Sequence, residues 1–365
     1  MKINVLRTDL SNSVSNISRA VAAKASIPAL EGILIKAYGQ ELSISGYDLE
    51  IGMTTTIEAT VQQQGEIVVS AKLFSEIVRK LPEEIVCIET DERMITYITS
   101  GQADYQIVGM SSVDYPDLPV FEETNSVEIK GDIIKEMIRQ TVYATSDNMA
   151  KPIYTGSLFE IKDKIFKIVA IDGYRMAIRQ ENVDCEVDSK FVVPGKTQQE
   201  VLKLINDDNN VKISIGQRHI SFRINNYSII SRLIEGVFID YNTTFPKETK
   251  TEVVVNTRKI INAVERMALL NNDKVQTPVR CTIGNDEIRL SCSSAVGKAN
   301  DIISAPVMGD EVEIGFNNRY LLEALKNIDC DEVKLLLNGS ISPMIVKPIK
   351  GDNFVSLIVP MRISR

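Results

Sequence analysis

The sequence predicts an α+β protein made of three repeated two-layer domains, each with two helices packed on antiparallel sheets. The main observation is a basic residue followed by a glutamate, in a pattern that recurs about every 124 residues. A solenoid unit repeats at roughly 20 to 50 residues, so this longer period has the length of a domain. The recurring pairs are Lys72 with Glu76, Lys196 with Glu200, and Arg319 with Glu323.

Each copy opens with a short alternating strand and then an amphipathic helix, whose apolar residues have helical spacing. In the third copy Asn256 is a suitable N-cap for that helix. The predicted strands and the helices that follow them are 1–5 with 10–23, 126–129 with 132–145, and 251–255 with 257–270.

The rest of each copy follows one order. A proline at position 28, 152 or 278 precedes two strands that a tight polar turn separates. The second helix carries the recurring pair, and a hairpin closes the copy. Polar stretches near residues 124 and 249 mark the boundaries, and domains of about 120 residues can each hold a core. The predicted domains are 1–124, 125–249 and 250–365.

Composition indicates an ordinary globular protein, with 44% apolar and 25% charged residues. No run approaches the roughly 20 apolar residues that cross a bilayer, and the first residues lack a signal-peptide pattern. The five cysteines are scattered and form no CxxC pair, as expected of reduced thiols. We therefore expect a cytoplasmic protein with no membrane association.

The sequence contains little that catalysis or cofactor binding would need. The single histidine, His219, follows a predicted turn and is expected at a surface or strand edge. One histidine argues against a histidine-rich metal site and a histidine-based triad. No phosphate-binding glycine motif is present. We expect no metal, no cofactor and no catalytic residues, although these features alone do not exclude an enzyme.

Charge is unevenly distributed along the chain, which has 41 Lys or Arg and 49 Asp or Glu, a net charge of −8. The predicted helices contain 14 basic and 7 acidic residues, so the rest of the chain is strongly acidic. Basic helices could face a polyanion, because Lys and Arg contact phosphates without reading sequence. They could equally be solvated helix faces. The segments counted are 8–24, 72–80, 131–142, 196–203, 257–266 and 319–326.

Several motifs together resemble the bacterial DNA polymerase sliding clamp family, the replicase beta subunits. They are the opening Met-Lys-Ile strand, the Ile-Pro-Ala-Leu link, the Ser-Gly-Tyr-Asp-Leu-Glu turn, the Ala-Ile-Asp-Gly-Tyr-Arg-Met-Ala block and the closing Val-Pro-Met-Arg. The resemblance covers nearly all 365 residues. The motifs begin at residues 1, 27, 45, 170 and 359.

The resemblance implies a non-catalytic subunit of the DNA polymerase holoenzyme. It implies a head-to-tail homodimer that forms a six-domain ring around double-stranded DNA and slides without sequence readout. Family positions near DNA match Lys24, Lys151 and Lys196, and the charged helices supply further candidates. The predicted DNA contacts are Lys24, Lys72, Arg79, Lys135, Arg139, Lys151, Lys196, Lys203, Arg258, Lys274, Arg280 and Arg319.

The resemblance also implies a peptide pocket between the second and third domains. It would bind the replicative DNA polymerase, the clamp loader and other proteins with a clamp-binding motif. Thr243 and Thr244 replace a basic and an aliphatic residue common in the family, and Ser364 and Arg365 extend the usual end. The predicted pocket residues are Tyr154, Ile171, Gly173, Tyr174, Arg175, Met176, Ile239, Thr243, Thr244, Asn317, Tyr320, Ile341, Pro343, Val359, Pro360, Met361 and Arg362.

For the dimer interface, the resemblance points to the first domain of one chain and the third domain of the other. The alternation of Tyr105 and Ile107 suggests an edge strand that a neighbouring chain could extend. The predicted interface residues are Lys72, Leu73, Phe74, Tyr105, Ile107, Leu269 and Leu270.

One competing function remains open from the residues alone. A repeat-built enzyme or sugar-binding protein would use clefts between domains and would need a convergent polar pocket. A groove-binding DNA protein is set aside by the acidic total charge. Its affinity would also fall steeply with salt, whereas a ring closed on circular DNA would survive high salt.

Overall fold

The computed structural model describes residues 1–120, 122–206, 208–270 and 277–363. Its mixture of helices and antiparallel sheets confirms the predicted α+β class, with two helices in each predicted copy. Within the described residues the helices are α1 (Arg7–Ile17), α2 (Ala71–Lys80), α3 (Gly131–Val142), α4 (Gly195–Leu204), α5 (Thr257–Ala268) and α6 (Asn318–Lys326).

The first helix of each copy ends earlier than predicted. The reason is local, because the chain tightens into 3-10-type turns after each helix. The N–H of Ala144 donates to the carbonyl of Thr141, and the N–H of Leu270 donates to that of Met267. In the first copy a 3-10 turn, Ser18–Ala20, follows directly.

The described strands are β1 (Lys2–Leu6), β2 (Gly32–Tyr38), β3 (Glu41–Tyr47), β4 (Ile51–Glu58), β5 (Thr60–Gln63), β6 (Gly65–Ser70), β7 (Ile85–Thr90), β8 (Ile95–Ser100), β9 (Ala103–Val108), β10 (Asn125–Lys130), β11 (Gly156–Lys162), β12 (Ile165–Ile171), β13 (Arg175–Asn182), β14 (Ser189–Pro194), β15 (Asn210–Ile215), β16 (His219–Ile224), β17 (Tyr227–Arg232), β18 (Thr251–Asn256), β19 (Val279–Gly284), β20 (Glu287–Ser294), β21 (Gly297–Ser304), β22 (Val307–Gly309), β23 (Val312–Phe316), β24 (Glu332–Leu337), β25 (Met344–Pro348) and β26 (Phe354–Ile358).

The chain folds into two compact units. The first unit is Met1–Ile134 with Lys196–Leu233. It contains a five-stranded sheet, in the order β5-β1-β7-β8-β9, and an eight-stranded sheet, in the order β10-β15-β16-β17-β4-β3-β2-β6. Helix α1 packs against α2 and lies on β3 and β4.

The second unit is Lys135–Gly195 with Ile234–Arg365. It contains a nine-stranded sheet, in the order β14-β11-β12-β13-β26-β25-β24-β18-β22, and a four-stranded sheet, in the order β21-β20-β19-β23. Helix α5 packs against α6 and covers β20 and β21.

The large sheets join strands from different predicted copies. In the first unit β4 of the first copy pairs with β17 of the second, with Ile229 opposite Met53. In the second unit β13 pairs with β26, with Ala177 opposite Ser356. Hydrogen-bonded backbone therefore continues across both predicted boundaries, which explains why the compact units differ from the sequence copies.

The helices bury one face and expose another, as their spacing predicts. In α2 the side chains of Phe74, Ile77 and Val78 are buried, whereas Lys72 and Arg79 are exposed. In α5 the predicted N-cap is confirmed, because the Asn256 side chain accepts a hydrogen bond from the N–H of Lys259 at 3.0 Å.

Three further sequence features have clear positions. His219 is the first residue of β16 and is half-buried. All five cysteines are free, and burial raises the pKa of Cys281 to about 12, which keeps that thiol protonated and unreactive. Within the described residues, every helix is too short or too polar to span a bilayer.

Candidate functional site

The turn between β12 and β13 presents one residue outward and the next inward. The Asp172 carboxylate accepts hydrogen bonds from the backbone N–H groups of Tyr174 at 2.8 Å and Arg175 at 3.0 Å. Gly173 adopts a φ of +95°, which favours glycine. As a result the Tyr174 side chain is 61% exposed, whereas Arg175 is only 4% exposed.

The buried guanidinium of Arg175 is held from several sides. Its Nε donates to Asp172 at 3.0 Å, and its Nη1 donates to Glu323 on α6. The group lies 4.5 Å from the ring centroid of Tyr320 and 5.5 Å from that of Tyr143, within cation–π range. This combination of paired charge and aromatic contact fixes one orientation of Arg175.

Helix α6 forms the opposite wall of this cluster. Asn317 caps the helix by accepting a hydrogen bond from the N–H of Arg319 at 2.9 Å. The cap starts α6 so that the Tyr320 ring stacks on the Tyr174 ring, with centroids 6.1 Å apart and planes at 21°. Burial, reinforced by Asp172, raises the pKa of Tyr320 above its usual range. The two tyrosines form an aromatic wall.

An apolar surface continues from the aromatic wall. Ile171 and Met176 belong to a buried cluster, and partly buried Tyr154, Ile239 and Val359 pack against it. Such side chains suit apolar peptide anchors, and the flexible thioether of Met176 can adapt to different ones. The structure brings together these five residues, which the resemblance assigns to one pocket.

Thr243 and Thr244 contribute less polarity than the sequence suggests. They lie in a 3-10 turn, Tyr241–Thr244. The Thr243 hydroxyl donates to the carbonyl of Asp240 at 2.8 Å, and the Thr244 hydroxyl donates to that of Tyr241 at 2.6 Å. Because both hydroxyls donate to carbonyls within the same turn, their donor capacity is used locally.

The segment after β26 closes the site on one side. The N–H of Val359 donates to the carbonyl of Tyr174, and the N–H of Met361 donates to that of Gly315, both at 2.8 Å. Half-buried Pro343 precedes β25. Beside this segment lies an open cleft of about 900 Å³, lined by Arg280, Glu311, Val312, Glu313, Gly339, Ser340, Ile341, Pro360, Met361, Arg362 and Ile363.

The predicted DNA contacts fall into exposed and paired groups. Lys24, Lys72, Arg79 and Arg258 are exposed, and Lys135 is half-buried. Exposed Lys151 has its ammonium 5.9 Å from the Tyr154 ring centroid. Lys274 lies outside the described residues. Pairs with carboxylates involve Arg139 with Glu136 and Asp329, Lys196 with Asp48, Lys203 with Glu200, Arg280 with Glu313, and Arg319 with Glu323.

Arg280 differs from the other predicted DNA contacts. It lies on β19, lines the cleft beside Met361 and pairs with Glu313 at 3.1 Å. Its position therefore associates it with the C-terminal cleft. The sequence argument grouped it with the helix residues, although it lies in the strand predicted after the proline at 278.

The predicted interface residues divide by exposure. β9 is an edge strand, as predicted, and carries half-exposed Tyr105. Leu269 is 81% exposed. Ile107 and Phe74 are buried, and Phe74 belongs to the core of the first unit. Phe74 is fully buried within its own chain, whereas its neighbour Leu73 is 44% exposed and accessible to a partner.

Sequence reasoning missed β21 as a second free edge. This strand lies at one end of the four-stranded sheet, and Lys298, Asn300 and Ile302 are exposed along it. Leu270 approaches its first residue, because a Cβ on Gly297 would lie 3.8 Å from Leu270 Cδ2. Residues 298–302 show no regular alternation of polar and apolar side chains, so the sequence contains no clear signal for this strand.

Three copies of one two-layer fold, with exposed basic helix residues and an aromatic–apolar pocket, define a clamp-type protein of three domains. Family models of the DNA polymerase III beta subunit match its N-terminal domain at residues 1–119, its central domain at 128–240 and its C-terminal domain at 242–362. The chain belongs to this DNA polymerase III beta subunit family.

Individual relatives agree with the family match. The beta sliding clamp of Bacillus subtilis (strain 168) is 32% identical over 376 residues, covering 99% of this chain and 100% of the relative. A DNA polymerase sliding clamp structure from Bacillus subtilis has a TM-score of 0.96 at 32% identity, with complete coverage of both chains. A putative DNA polymerase III beta subunit from Eubacterium rectale has a TM-score of 0.94 at 35% identity, covering 99% of each.

Proposed function

We propose that this chain is a DNA sliding clamp, a non-catalytic processivity factor that encircles duplex DNA as a homodimeric ring. The main observation that supports this proposal is the family match in all three domains. The charge distribution supports it, since an acidic chain with net charge −8 exposes basic residues on its helices. An acidic exterior repels stray DNA while a basic lining attracts the enclosed duplex.

The helices suit contact with a phosphate backbone. Lys72 and Arg79 are exposed on α2, whose opposite face is anchored by buried Phe74 and Val78. Exposed cations on such a helix contact phosphates without reading bases. The clamp would therefore slide, and topology rather than affinity would keep it on DNA.

The free strand edges support a head-to-tail dimer. β9 ends one sheet of the first unit and β21 ends one sheet of the second, and each edge has unpaired backbone groups on one side. Pairing β9 of one chain with β21 of the other would remove both edges. Two such junctions close a ring when the rotation fits.

A charged substitution at the exposed C-terminal end of α5 tests this dimer. Leu269→Asp places a charge where 81% of the side chain is exposed, so it would disturb the interface rather than the fold. We expect monomers in sedimentation, and Ile107→Asp should give the same result with an added loss of stability. Val113→Asp, at another exposed apolar position, is the control and should leave the dimer intact.

The peptide pocket supports tethering of the replicative polymerase, the clamp loader and other partners. The stacked tyrosines and the apolar cluster around Met176 would accept the hydrophobic anchors of a short motif, and polar groups near Arg175 would orient a glutamine. Ligand-binding sites usually combine an apolar pocket with a small number of polar groups.

Retention on DNA tests the whole proposal. The protein is loaded by a clamp-loader ATPase onto nicked circular duplex, passed through a sizing column in high salt, and examined again after linearisation. Co-elution with the circle and loss from the linear DNA is the expected result. Loss from both would overturn it and favour the alternatives with solvated helices or a cleft-based activity.

A further inference from the structure

One carboxylate is shared between the pocket and a predicted DNA contact. Glu323 on α6 accepts a hydrogen bond from Arg319 Nε at 3.0 Å with one oxygen, and from Arg175 Nη1 with the other. Arg319 is a predicted DNA contact, and Arg175 is a pocket residue. The two functional groups are thus linked through a single side chain.

The two arginine side chains differ in how firmly their surroundings hold them. The side chain of Arg175 is 4% exposed, and it is held by Asp172 and the ring of Tyr320. The side chain of Arg319 is 62% exposed. A phosphate could therefore draw Arg319 away from Glu323, whereas Arg175 would stay in place.

The register-equivalent residues of the second copy are not linked in this way. On α4, Lys196 pairs with Asp48, while Glu200 pairs with Lys203 at 2.7 Å and with Arg19 at 2.8 Å. A phosphate that draws Lys196 away would leave the pairs of Glu200 unchanged. Glu200 is also shared by two cations, but neither of them is a pocket residue, so the link between a predicted DNA contact and the pocket is a property of α6 rather than of the repeat.

We propose that Glu323 is a positioning residue that makes pocket affinity depend on DNA inside the ring. When a phosphate engages Arg319, Glu323 loses one of two cations, and its remaining hydrogen bond to Arg175 becomes stronger. Arg175 then holds Tyr320, and through it the stack with Tyr174, more firmly. A pre-organised pocket binds its peptide more tightly.

The coupling should raise peptide affinity when DNA is bound, and it should raise DNA affinity when peptide is bound. An exposed ion pair is a weak element, so we expect peptide affinity to rise about two- to five-fold on DNA-loaded clamp. By linkage, bound peptide would strengthen the DNA contact of Arg319 by the same factor. The inference rests on the proposed function, because it needs a clamp that encloses DNA.

The test measures fluorescence anisotropy of a labelled peptide with one glutamine and apolar anchors. Peptide affinity is compared between free clamp and clamp on nicked circular DNA. The wild-type ratio should be about two to five. Glu323→Gln keeps the shape without the charge and should bring the ratio to about one, as should Arg319→Ala, whose free form already has the tighter pocket.

Lys326→Ala is the matched control on the same helix. Lys326 pairs with Glu265 at 2.5 Å rather than with Glu323, so its removal should leave the ratio intact. Equal wild-type affinities on and off DNA, or an unchanged ratio in both Glu323→Gln and Arg319→Ala, would overturn the inference. Retention on the circle is measured in the same samples. Failure of retention contradicts the clamp itself, whereas retention without coupling contradicts only the role of Glu323.

Discussion

Helices α4 and α6 carry the same basic–acidic register but use it differently. In α4 the buried member of the central pair is the carboxylate, since Glu200 is 9% exposed and Arg19 is 27% exposed. In α6 the buried member is the guanidinium of Arg175, and Glu323 is 30% exposed. The comparison teaches that a repeated sequence pattern can fix a position on a helix without fixing its partners.

The difference originates in what each preceding copy supplies. β13 begins with Arg175, whereas the matching strand β4 begins with apolar Ile51. In the first unit the arginine comes instead from the 3-10 turn after α1, as Arg19. Its Nε approaches Glu200 to 2.8 Å without the alignment of a hydrogen bond. The α6 arrangement is therefore the more specific of the two.

Removal of Arg175 should have the largest effect. Arg175→Ala leaves Asp172 and Glu323 without their shared cation, so we expect a loss of about 3–5 kcal/mol in the free energy of unfolding. Urea unfolding followed by tyrosine fluorescence measures it. Arg289→Ala removes an exposed local pair with Glu287 and should change stability by less than about 1 kcal/mol. Equal losses in the two variants would contradict this assignment.

Removal of either glutamate should lower the free energy of unfolding by less than removal of Arg175, and the two losses should differ. Glu200→Ala leaves Arg19 half-buried without a carboxylate, at a cost of about 1–3 kcal/mol. Glu323→Ala should cost less, because Arg175 keeps Asp172. The same urea experiment gives both values. A larger loss in Glu323→Ala would reverse the comparison between the helices.

Binding of the protein to duplex DNA without a clamp loader should distinguish exposed cations from those paired with carboxylates. Lys72 is exposed and has no carboxylate within ion-pair distance among the described residues, whereas Lys196 pairs with Asp48. Each phosphate contact contributes about 0.9 to the slope of log affinity against log salt. Lys72→Ala should lower the slope by nearly that amount and Lys196→Ala by less. Similar slopes for the two variants would show that the pairing with Asp48 is unimportant.

Protonation of the single histidine, which lies in the first unit, should have the smallest effect. Burial, together with Arg232 and Arg218, lowers the pKa of His219 below its usual value of about 6.5. Below that value the unfolded chain binds a proton before the folded chain does, so stability falls as pH decreases through the folded pKa.

The melting midpoint is measured at a series of pH values from neutral down to about 5. The variant His219→Gln should show a slightly shallower acid decline than the wild type. Identical declines would mean that carboxylates such as Glu66 and Glu123, whose pKa values hydrogen bonds lower, account for all of the acid sensitivity.

The sequence predicted local features well because they depend on short spacing. Amphipathic periodicity located the six helices, and the Asn256 cap is a local hydrogen bond. The same spacing predicts a buried position for Phe74, since Phe74, Ile77 and Val78 form one apolar face of α2. The assignment of Phe74 to the interface came from the resemblance and stays a prediction.

Long-range features could not be predicted from the residues. The joining of β4 to β17 and of β13 to β26 depends on which strand edges meet, and alternation within a strand does not specify its neighbour. Arg175 and Glu323 lie far apart in the chain, and either residue alone has the appearance of an ordinary surface charge. Only the folded arrangement shows the shared carboxylate.

The absence of a side chain at Gly315 ties the last described residues to a distant position in the sequence. A Cβ there would lie 2.8 Å from Ile363 Cγ1 and 3.1 Å from the carbonyl of Met361. A larger residue would push the closing segment off β23 and leave the carbonyl of Gly315 unpaired. Positions 315 and 363 should therefore vary together among relatives, with a bulkier residue at one tolerated only beside a smaller one at the other.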